Sequence, residues 1–206
     1  MAGKVCMDTG ANAGIGKATA QGLANISATV VMVCRSQERG EAALAEIREQ
    51  SSNDHISLLV ADLASQSEIR RLAEDFKKHY SALHVLVNNA GIIPRKREVT
   101  VDGCETQFAV NHLAPFLLTN LLLDILKSSA PARIVTVSSD MHRGATINFD
   151  DLQSERSYRP VRVYSRTKLA NVLFTYELAR RLQGTAVTAN CLHPGVVATK
   201  LLADGM

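Results

Sequence analysis

The stretch Thr9-Gly10-Ala11-Asn12-Ala13-Gly14-Ile15-Gly16 decides the fold prediction, because its three glycines follow a short apolar run and open a helical pattern. Glycine at such a turn tolerates positive φ, lets the backbone approach a pyrophosphate and allows close helix–strand packing. The helix that follows offers unpaired N–H groups to phosphate oxygens. A purely structural turn is the alternative. The predicted dinucleotide contacts here are Gly10, Asn12, Gly14, Ile15 and Gly16.

Strand-like and helix-like stretches alternate outward from this turn along the whole chain. The predicted strands are Lys4–Thr9, Thr29–Cys34, Ile56–Ala61, Val85–Asn88, Arg133–Ser138 and Ala186–Cys191. The predicted helices are Ile15–Asn25, Gln37–Gln50, Ser67–Tyr80, Asp102–Leu126 and Val161–Leu182. The strands are near-continuous apolar runs, which is typical of a sheet covered by helices on both faces. We predict an α/β fold with a doubly wound, Rossmann-like parallel sheet of six strands in the order 3-2-1-4-5-6, as one domain over residues 1–206.

Composition and charge argue against several other classes of protein. The 206 residues are 46% hydrophobic and 21% charged, which is ordinary for a globular chain. A net charge of only +3, with 4% aromatic residues and no Trp, predicts no nucleic-acid partner. The four cysteines are widely spaced without a CxxC pair, which predicts no metal site and favours a reducing, cytoplasmic location. The start MAGKV has no signal-peptide pattern, and the most apolar stretch, Phe116 to Leu126, is too short to span a bilayer.

Two further motifs follow later strands. Asn88-Asn89-Ala90-Gly91 closes the fourth strand, and Tyr164-Ser165-Arg166-Thr167-Lys168 lies in the last long helix. Tyr164 and Lys168 are four residues apart, so they share one face of a helix. A nearby cation favours the phenolate, and we therefore expect Lys168 to lower the pKa of Tyr164 towards a value that suits acid–base chemistry. The alternative is an ordinary surface pair.

Together these motifs resemble the short-chain dehydrogenase/reductase family, and they occur in its order over the whole chain. The other matching positions are Asn111, Ser139 and Pro194-Gly195. The stretches Ile147–Tyr158 (INFDDLQSERSY) and Leu169–Leu182 (LANVLFTYELARRL) resemble its retinol-dehydrogenase-like branch. The resemblance implies an NADP(H)-dependent oxidoreductase that interconverts an alcohol and a carbonyl by hydride transfer. Its substrate would be a small molecule with an apolar or retinoid-like bias.

The resemblance also implies four catalytic residues. Tyr164 is the acid/base, and Lys168 additionally holds the nicotinamide ribose. Ser139 hydrogen-bonds the substrate oxygen, with its neighbour Ser138 as the competing choice. Asn111 holds a water in a proton relay to Lys168, or alternatively only caps or fills a helix kink.

Further cofactor contacts are implied where the later strands end. Asp62 and Leu63 follow the third strand and would contact the adenine, although Asp62 also fits a helix N-cap. Gly91 leaves room for the ligand, whereas Asn88 and Ala90 also fit purely structural roles. The remaining implied contacts are Asn89, Ala90, Gly91, Tyr164, Lys168, Pro194, Gly195, Val197 and Thr199.

The end of the second strand indicates which cofactor is preferred. An NAD-preferring site normally carries Asp or Glu there to bind the ribose 2′-hydroxyl. This chain has Cys34-Arg35-Ser36 instead, with no acid until Glu38. Arg35 is suited to a 2′-phosphate through charge-assisted bonds, unless it is only a solvated surface cation. We predict that NADP(H) is preferred and that NAD is possible.

Two features depart from the family pattern. Asp8 stands in the first strand where the family has an aliphatic residue, and a buried carboxylate must be paired or protonated. It is either an unpartnered acid or an acceptor for the backbone of the glycine turn. The chain ends at Met206, before the family's last strand, so the resemblance predicts a domain that is short at its C-terminus and has no N-terminal anchor.

Two other functions stay open at this point. The first is a dinucleotide-binding or redox-sensing module with little turnover, and the second is an interaction protein that keeps only the scaffold. We expect no transmembrane segment, and a homodimer is a possible assembly.

Overall fold

The centre of the computed structural model, which describes residues 1–195 and 197, is a parallel sheet of six strands. The strands are β1 (Val5–Thr9), β2 (Thr29–Cys34), β3 (Ile56–Val60), β4 (Val85–Asn88), β5 (Ala132–Val137) and β6 (Val187–Leu192). Their order is β3-β2-β1-β4-β5-β6. This confirms the predicted doubly wound, Rossmann-like α/β fold, and it brings all carboxyl ends of the strands to one edge.

The helices connect these strands in the predicted places. They are α1 (Gly14–Asn25), α2 (Gln37–Ser51), α3 (Gln66–His79), α4 (Thr106–Phe108), α5 (Ala114–Leu121), α6 (Leu123–Ser128) and α7 (Pro160–Arg181). Ser36 and Ser65 begin α2 and α3 by accepting hydrogen bonds from the amides of Arg39 and Glu68. In the part of the chain that is described, no helix is long and apolar enough to cross a membrane.

Helices cover both faces of the sheet and bury two apolar clusters. On one face, α1 and α2 pack small residues such as Ala20 and Ala24 against β1, β2 and β4. On the other face, α3, α5 and α7 pack larger side chains such as Phe76 and Leu118 against the sheet. Each strand therefore needs apolar residues on both sides, which explains the continuous apolar runs in the sequence.

One predicted helix is wrong in its bounds. The stretch Asp102–Leu126 is not continuous: it contains α4, a π-helical turn at Ala109–Leu113, then α5 and α6. Asp102 lies before these helices and accepts a hydrogen bond from the amide of Gln66 at 2.8 Å. The break near Ala114 has a local cause, because Pro115 has no amide hydrogen to donate to an earlier turn. Periodicity of apolar residues does not reveal such a break.

Asp8 lies in the middle of the sheet and is completely buried. It pairs in register with Met32 of β2 and Val87 of β4, and both neighbours belong to the apolar cluster under α1 and α2. Neither carboxylate oxygen has a hydrogen-bond partner among the described residues. The alternative in which Asp8 accepts bonds from the glycine turn is therefore wrong.

Candidate active site

The glycine turn lies at the carboxyl end of β1 and leads directly into α1. Gly10 and Gly14 adopt φ values of +73° and +52°, which only glycine adopts without strain. The first turn of α1 carries no acidic residue and no side-chain cap, so its amide groups are not paired with a carboxylate. An uncapped helix terminus behind a glycine turn fits the pyrophosphate of a dinucleotide. Asn12 and Ile15 are partly buried on this turn.

Thr9, to which the sequence analysis assigns no role, ties this turn to the end of β4. Its hydroxyl donates to the carbonyl of Val87 at 3.2 Å and accepts from the amides of Asn89 and Ala90 at 3.0 and 3.1 Å. The side-chain amide of Asn89 donates back to the carbonyl of Thr9 at 2.8 Å. The signal in the sequence is a hydroxyl residue directly before the first glycine. These bonds fix the two phosphate-side loops against each other.

Close packing leaves no room for a side chain at Gly16. A Cβ added there would clash with the carbonyl oxygen of Gly10 and lie 2.5 Å from Nδ2 of Asn89. We expect Gly16→Ala to weaken NADPH binding about tenfold or more, because the turn and Asn89 must both move. Fluorescence titration with NADPH measures this effect.

Gly22→Ala is the matched control for that substitution. Gly22 lies on the same helix with nothing within 4 Å of an added Cβ. We expect this variant to bind NADPH normally and to be more stable by about 0.4–1 kcal/mol. Equal NADPH affinity of the Gly16→Ala and Gly22→Ala proteins would contradict the packing argument.

Tyr164, Ser139 and Lys168 come together at the carboxyl edge of β5. Tyr164 and Lys168 lie on one face of α7 as predicted, and Nζ of Lys168 is 5.4 Å from the centroid of the Tyr164 ring. The Tyr164 hydroxyl lies near the side chain of Ser139, which acts on its pKa. Lys168 is only 3% exposed, and its Nζ donates to the carbonyl of Val137 at 2.8 Å. The three side chains therefore form one polar cluster in an otherwise buried setting.

The pKa of Tyr164 differs from the sequence-based expectation. Burial raises it above the ordinary value, and the neighbouring side chain of Ser139 opposes this increase only in part. The ammonium group of Lys168 lies over the ring and donates its hydrogen bond to the carbonyl of Val137 rather than to the phenol oxygen. Burial also lowers the pKa of Lys168 itself to about 8. Desolvation of both groups thus outweighs the attraction between cation and phenolate.

The two adjacent serines have distinct surroundings. Ser138 is buried, and its hydroxyl donates to the backbone carbonyl of Lys168 at 3.0 Å, so it anchors α7 to β5. Ser139 is less buried, and its oxygen accepts from the amide of Met141 at 3.3 Å. Of the two hydroxyl groups, the one on Ser139 faces Tyr164.

Asn111 lies in the π-helical turn and is completely buried. Its Oδ1 accepts from the amide of Ile92 at 2.8 Å, and its Nδ2 donates to the carbonyl of Ile92 at 3.0 Å. A Cβ added at Gly91 would lie 3.5 Å from this Oδ1 and 3.8 Å from Nζ of Lys168. Asn111 therefore fastens the loop after β4 beside Lys168.

The predicted adenine-side and ribose-side residues lie at the ends of β3 and β2. Asp62 is not the N-cap of α3, which is Ser65; its Oδ1 instead accepts from the amide of Ala64 at 2.9 Å. Leu63 is partly buried next to it. Arg35 is exposed directly after β2. All three therefore lie at the same sheet edge as the glycine turn.

The predicted contacts after β6 are only partly visible. Pro194 is half-buried, and Gly195 adopts a φ of +82°. Val197 is exposed, and Thr199 lies outside the described residues.

The doubly wound sheet has a glycine turn after β1 and a Ser–Tyr–Lys group after β5, and together these features are typical of one class of enzyme fold. The chain belongs to the short chain dehydrogenase family, which matches residues 4–205.

Within that family the chain is similar to retinol dehydrogenases, as the sequence resemblance indicates. Retinol dehydrogenase 12 of Homo sapiens is 50% identical over 97% of this chain and 63% of its own length. Retinol dehydrogenase 14 of Mus musculus is 48% identical over 98% of this chain and 63% of its own length. The chain thus spans slightly less than two thirds of these relatives. The Pseudomonas aeruginosa RhlG/NADP active-site complex superimposes with a TM-score of 0.82 at 27% identity, covering 98% of this chain and 76% of that one.

Proposed function

We propose that this protein is an NAD(P)-dependent oxidoreductase that interconverts an alcohol and a carbonyl. The observation that carries the proposal is the cluster of Tyr164, Ser139 and buried Lys168 at the sheet edge that also holds the glycine turn. Family membership and the similarity to retinol dehydrogenases support the reaction class.

The chain's own residues fit a dinucleotide along this edge. Gly10, Gly14 and Gly16 let the backbone and the free amides of α1 approach the phosphates, and Asp62 with Leu63 fits the adenine end. When bound, the cofactor supplies or accepts the hydride. The remaining predicted contacts of the chain with the cofactor are Asn89, Ala90, Gly91, Tyr164, Lys168, Pro194, Gly195, Val197 and Thr199.

The Ser139–Tyr164–Lys168 cluster carries out the proton transfer. Ser139 orients the substrate oxygen by a hydrogen bond, and the Tyr164 hydroxyl gives a proton to that oxygen in reduction and takes it back in oxidation. A raised Tyr164 pKa keeps the hydroxyl protonated near neutral pH, which suits the direction of carbonyl reduction. Lys168 contributes a positive charge next to the ring, and Asn111 fits a water that relays protons to it.

We propose NADP(H) as the preferred cofactor, supported by the exposed Arg35 after β2 and by the similarity to the Pseudomonas aeruginosa RhlG/NADP complex. NADPH should therefore bind more tightly than NADH, and Arg35→Ala should reduce this difference about tenfold or more, since a charge-assisted contact to the 2′-phosphate is lost. Parallel titrations with both cofactors measure the two affinities.

Arg70→Ala is the control for that experiment, because Arg70 is an exposed arginine on α3 and its loss changes the net charge equally. It should leave the NADPH preference unchanged. Equal affinities for NADPH and NADH in the unmodified protein would exclude Arg35 as a determinant of cofactor choice.

The proposed substrate class is an apolar aldehyde or ketone, or the corresponding alcohol, such as a retinoid. The names of the similar retinol dehydrogenases support it, as does the exposed Met141 two residues after Ser139. The decisive experiment measures NADPH consumption with a panel of carbonyl compounds that includes retinal. If the protein binds NADPH tightly but turns over none of the carbonyl compounds, the proposed oxidoreductase function is rejected.

That outcome would favour the second candidate, a dinucleotide-binding or redox-sensing module with little turnover. One observation supports this alternative: β1 contains the buried Asp8, which has no hydrogen-bond partner among the described residues and lies two residues before Gly10. We also propose a cytoplasmic location, because the four cysteines are free thiols, as is usual in a reducing compartment. That the protein forms a homodimer stays a prediction.

A further inference from the structure

The π-helical turn Ala109–Leu113 is held by a contact that none of the proposed catalytic residues supplies. Pro115 has no amide hydrogen, so the carbonyl of Asn111, four residues earlier, lacks the donor that an α-helix would provide. Asn171 of α7 takes this place, since its Nδ2 donates to the carbonyl of Asn111 at 2.8 Å. Asn171 is 1% exposed and Asn111 is completely buried, so solvent does not replace this bond.

The other end of the Asn171 amide is also engaged, which fixes its orientation. Because Nδ2 faces a carbonyl, Oδ1 must accept, and its partner is Nδ1 of His112 at 3.0 Å. Nδ1 of His112 therefore carries a proton. The His112 ring is itself held by contacts with Phe108 and Phe174, at centroid distances of 5.4 and 6.4 Å. Asn171 thus links α7 to two successive residues of the π turn.

The π turn matters because it presents the side chain of Asn111 to the loop after β4. That side chain makes two hydrogen bonds with Ile92, and the neighbouring Gly91 position lies close to both Asn111 and Lys168. A helix in ordinary α geometry would rotate Asn111 by part of a turn and remove these bonds. Misplacement of about 1 Å at a site of this kind costs up to about 100-fold in rate.

We propose that Asn171 is a positioning residue, which holds the π turn through the Asn111 carbonyl and thereby places the Asn111 side chain beside Lys168. The proposal rests on the oxidoreductase function proposed above. It assigns a role in the site to a side chain whose hydrogen bonds go to His112 and to the backbone of Asn111.

The first test compares Asn171→Leu with Thr175→Val. Leucine keeps the branching of the side chain at Cγ and removes both its donor and its acceptor. Thr175 is a matched control, because it is also buried on α7 and its hydroxyl donates only to the carbonyl of Asn171 within the same helix, at 2.7 Å. We expect Asn171→Leu to accelerate hydrogen exchange of the Ile92 amide and to lower kcat about 10- to 100-fold, with KM and NADPH affinity nearly unchanged. Thr175→Val should change none of these quantities.

The second test uses Asn171→Asp and keeps the proposal falsifiable if the leucine variant does not fold. An ionised aspartate cannot donate to the Asn111 carbonyl, whereas a protonated one can. The ionisable side chain that touches this position is His112, and Lys168 lies one turn earlier on α7. We expect the ratio of kcat for Asn171→Asp to that of the unmodified protein to rise as the pH falls. The ratio for Asn171→Leu should not depend on pH.

The outcomes separate this inference from the proposed function. If the unmodified protein turns over carbonyls but Asn171→Leu retains its kcat and its protection of Ile92, the positioning role is wrong. A pH-independent ratio for Asn171→Asp would also overturn it. If the unmodified protein has no activity, the oxidoreductase proposal fails, and the exchange rate of Ile92 still decides whether Asn171 holds the turn.

Discussion

Replacing Tyr164 with phenylalanine is expected to lower the rate of carbonyl reduction by about 10²–10⁴-fold, because the substitution removes the proton donor and leaves the site otherwise intact. The ring is 7% exposed and packs under Nζ of Lys168, and phenylalanine preserves both features. NADPH affinity should therefore change little. Steady-state NADPH consumption and a fluorescence titration on the same preparation measure the two effects separately.

Tyr176→Phe provides the matched control for Tyr164→Phe. Tyr176 also lies on α7, but its side chain is 68% exposed and takes no part in the Ser139–Tyr164–Lys168 cluster. Its loss of a hydroxyl should leave turnover unchanged. A Tyr164→Phe protein with the unmodified rate would mean that another group transfers the proton, and the proposed mechanism would then be rejected while the fold would stand.

The sheet could be predicted from sequence because each strand is an apolar run that helices bury on both faces, and because right-handed crossovers leave few possible strand orders. The bounds of β2 and β4 agree with the prediction, and the other four strands differ from it by one residue at one or both ends. The helix before β5 was harder to predict. The helix is interrupted because Pro115 lacks an amide hydrogen. The donor that replaces it at the Asn111 carbonyl is Asn171, which lies 60 residues away in the chain.

In the candidate site, too, features that depend on neighbouring residues could be predicted from the sequence, and features that depend on distant segments could not. The glycine turn and the Tyr164–Lys168 pair are local patterns, so spacing alone predicts the turn between β1 and α1 and the helix face that the pair shares. The pKa of Tyr164 is not local: burial by residues from distant segments raises it, against the direction expected from Lys168. Thr9 was assigned no role for a related reason, since its three hydrogen-bond partners all belong to the end of β4.

Asp8→Val is expected to stabilise the protein near neutral pH by about 1–3 kcal/mol, because the carboxyl group is completely buried and neither oxygen has a partner among the described residues. Valine suits the position sterically and chemically, since the flanking residues in register are Met32 and Val87. The melting temperature should rise by roughly 2–12 °C for a domain of this size. Removing an acid from the strand that leads to the glycine turn should also favour NADPH binding.

The stability gained by Asp8→Val depends on pH, and the burial of Asp8 determines whether this gain rises or falls with pH. Desolvation raises the pKa of Asp8 well above 3.8, so the folded protein retains the proton to a higher pH than the unfolded chain does. The stabilising effect of the bound proton is complete below the unfolded pKa of about 3.9, and it is lost as the pH rises from there through the folded pKa. The advantage of Asp8→Val over the unmodified protein should therefore be smallest in acid and grow over that interval.

The variant Asp8→Asn distinguishes the contribution of the charge at this position to stability from that of an unpartnered polar group. Asparagine has the same shape and does not titrate, so its stability relative to Asp8→Val should be independent of pH, while its unpartnered amide still costs about 1–3 kcal/mol. The nearby buried thiol of Cys6, whose pKa is raised to about 11, stays neutral over the range tested and does not contribute to the trend. Thermal melts of the three proteins from acid to mildly alkaline pH, with and without NADPH, measure these differences. A destabilised Asp8→Val protein would show that the carboxyl group supports the strand or the glycine turn, because only a favourable contact could outweigh the desolvation that its removal relieves.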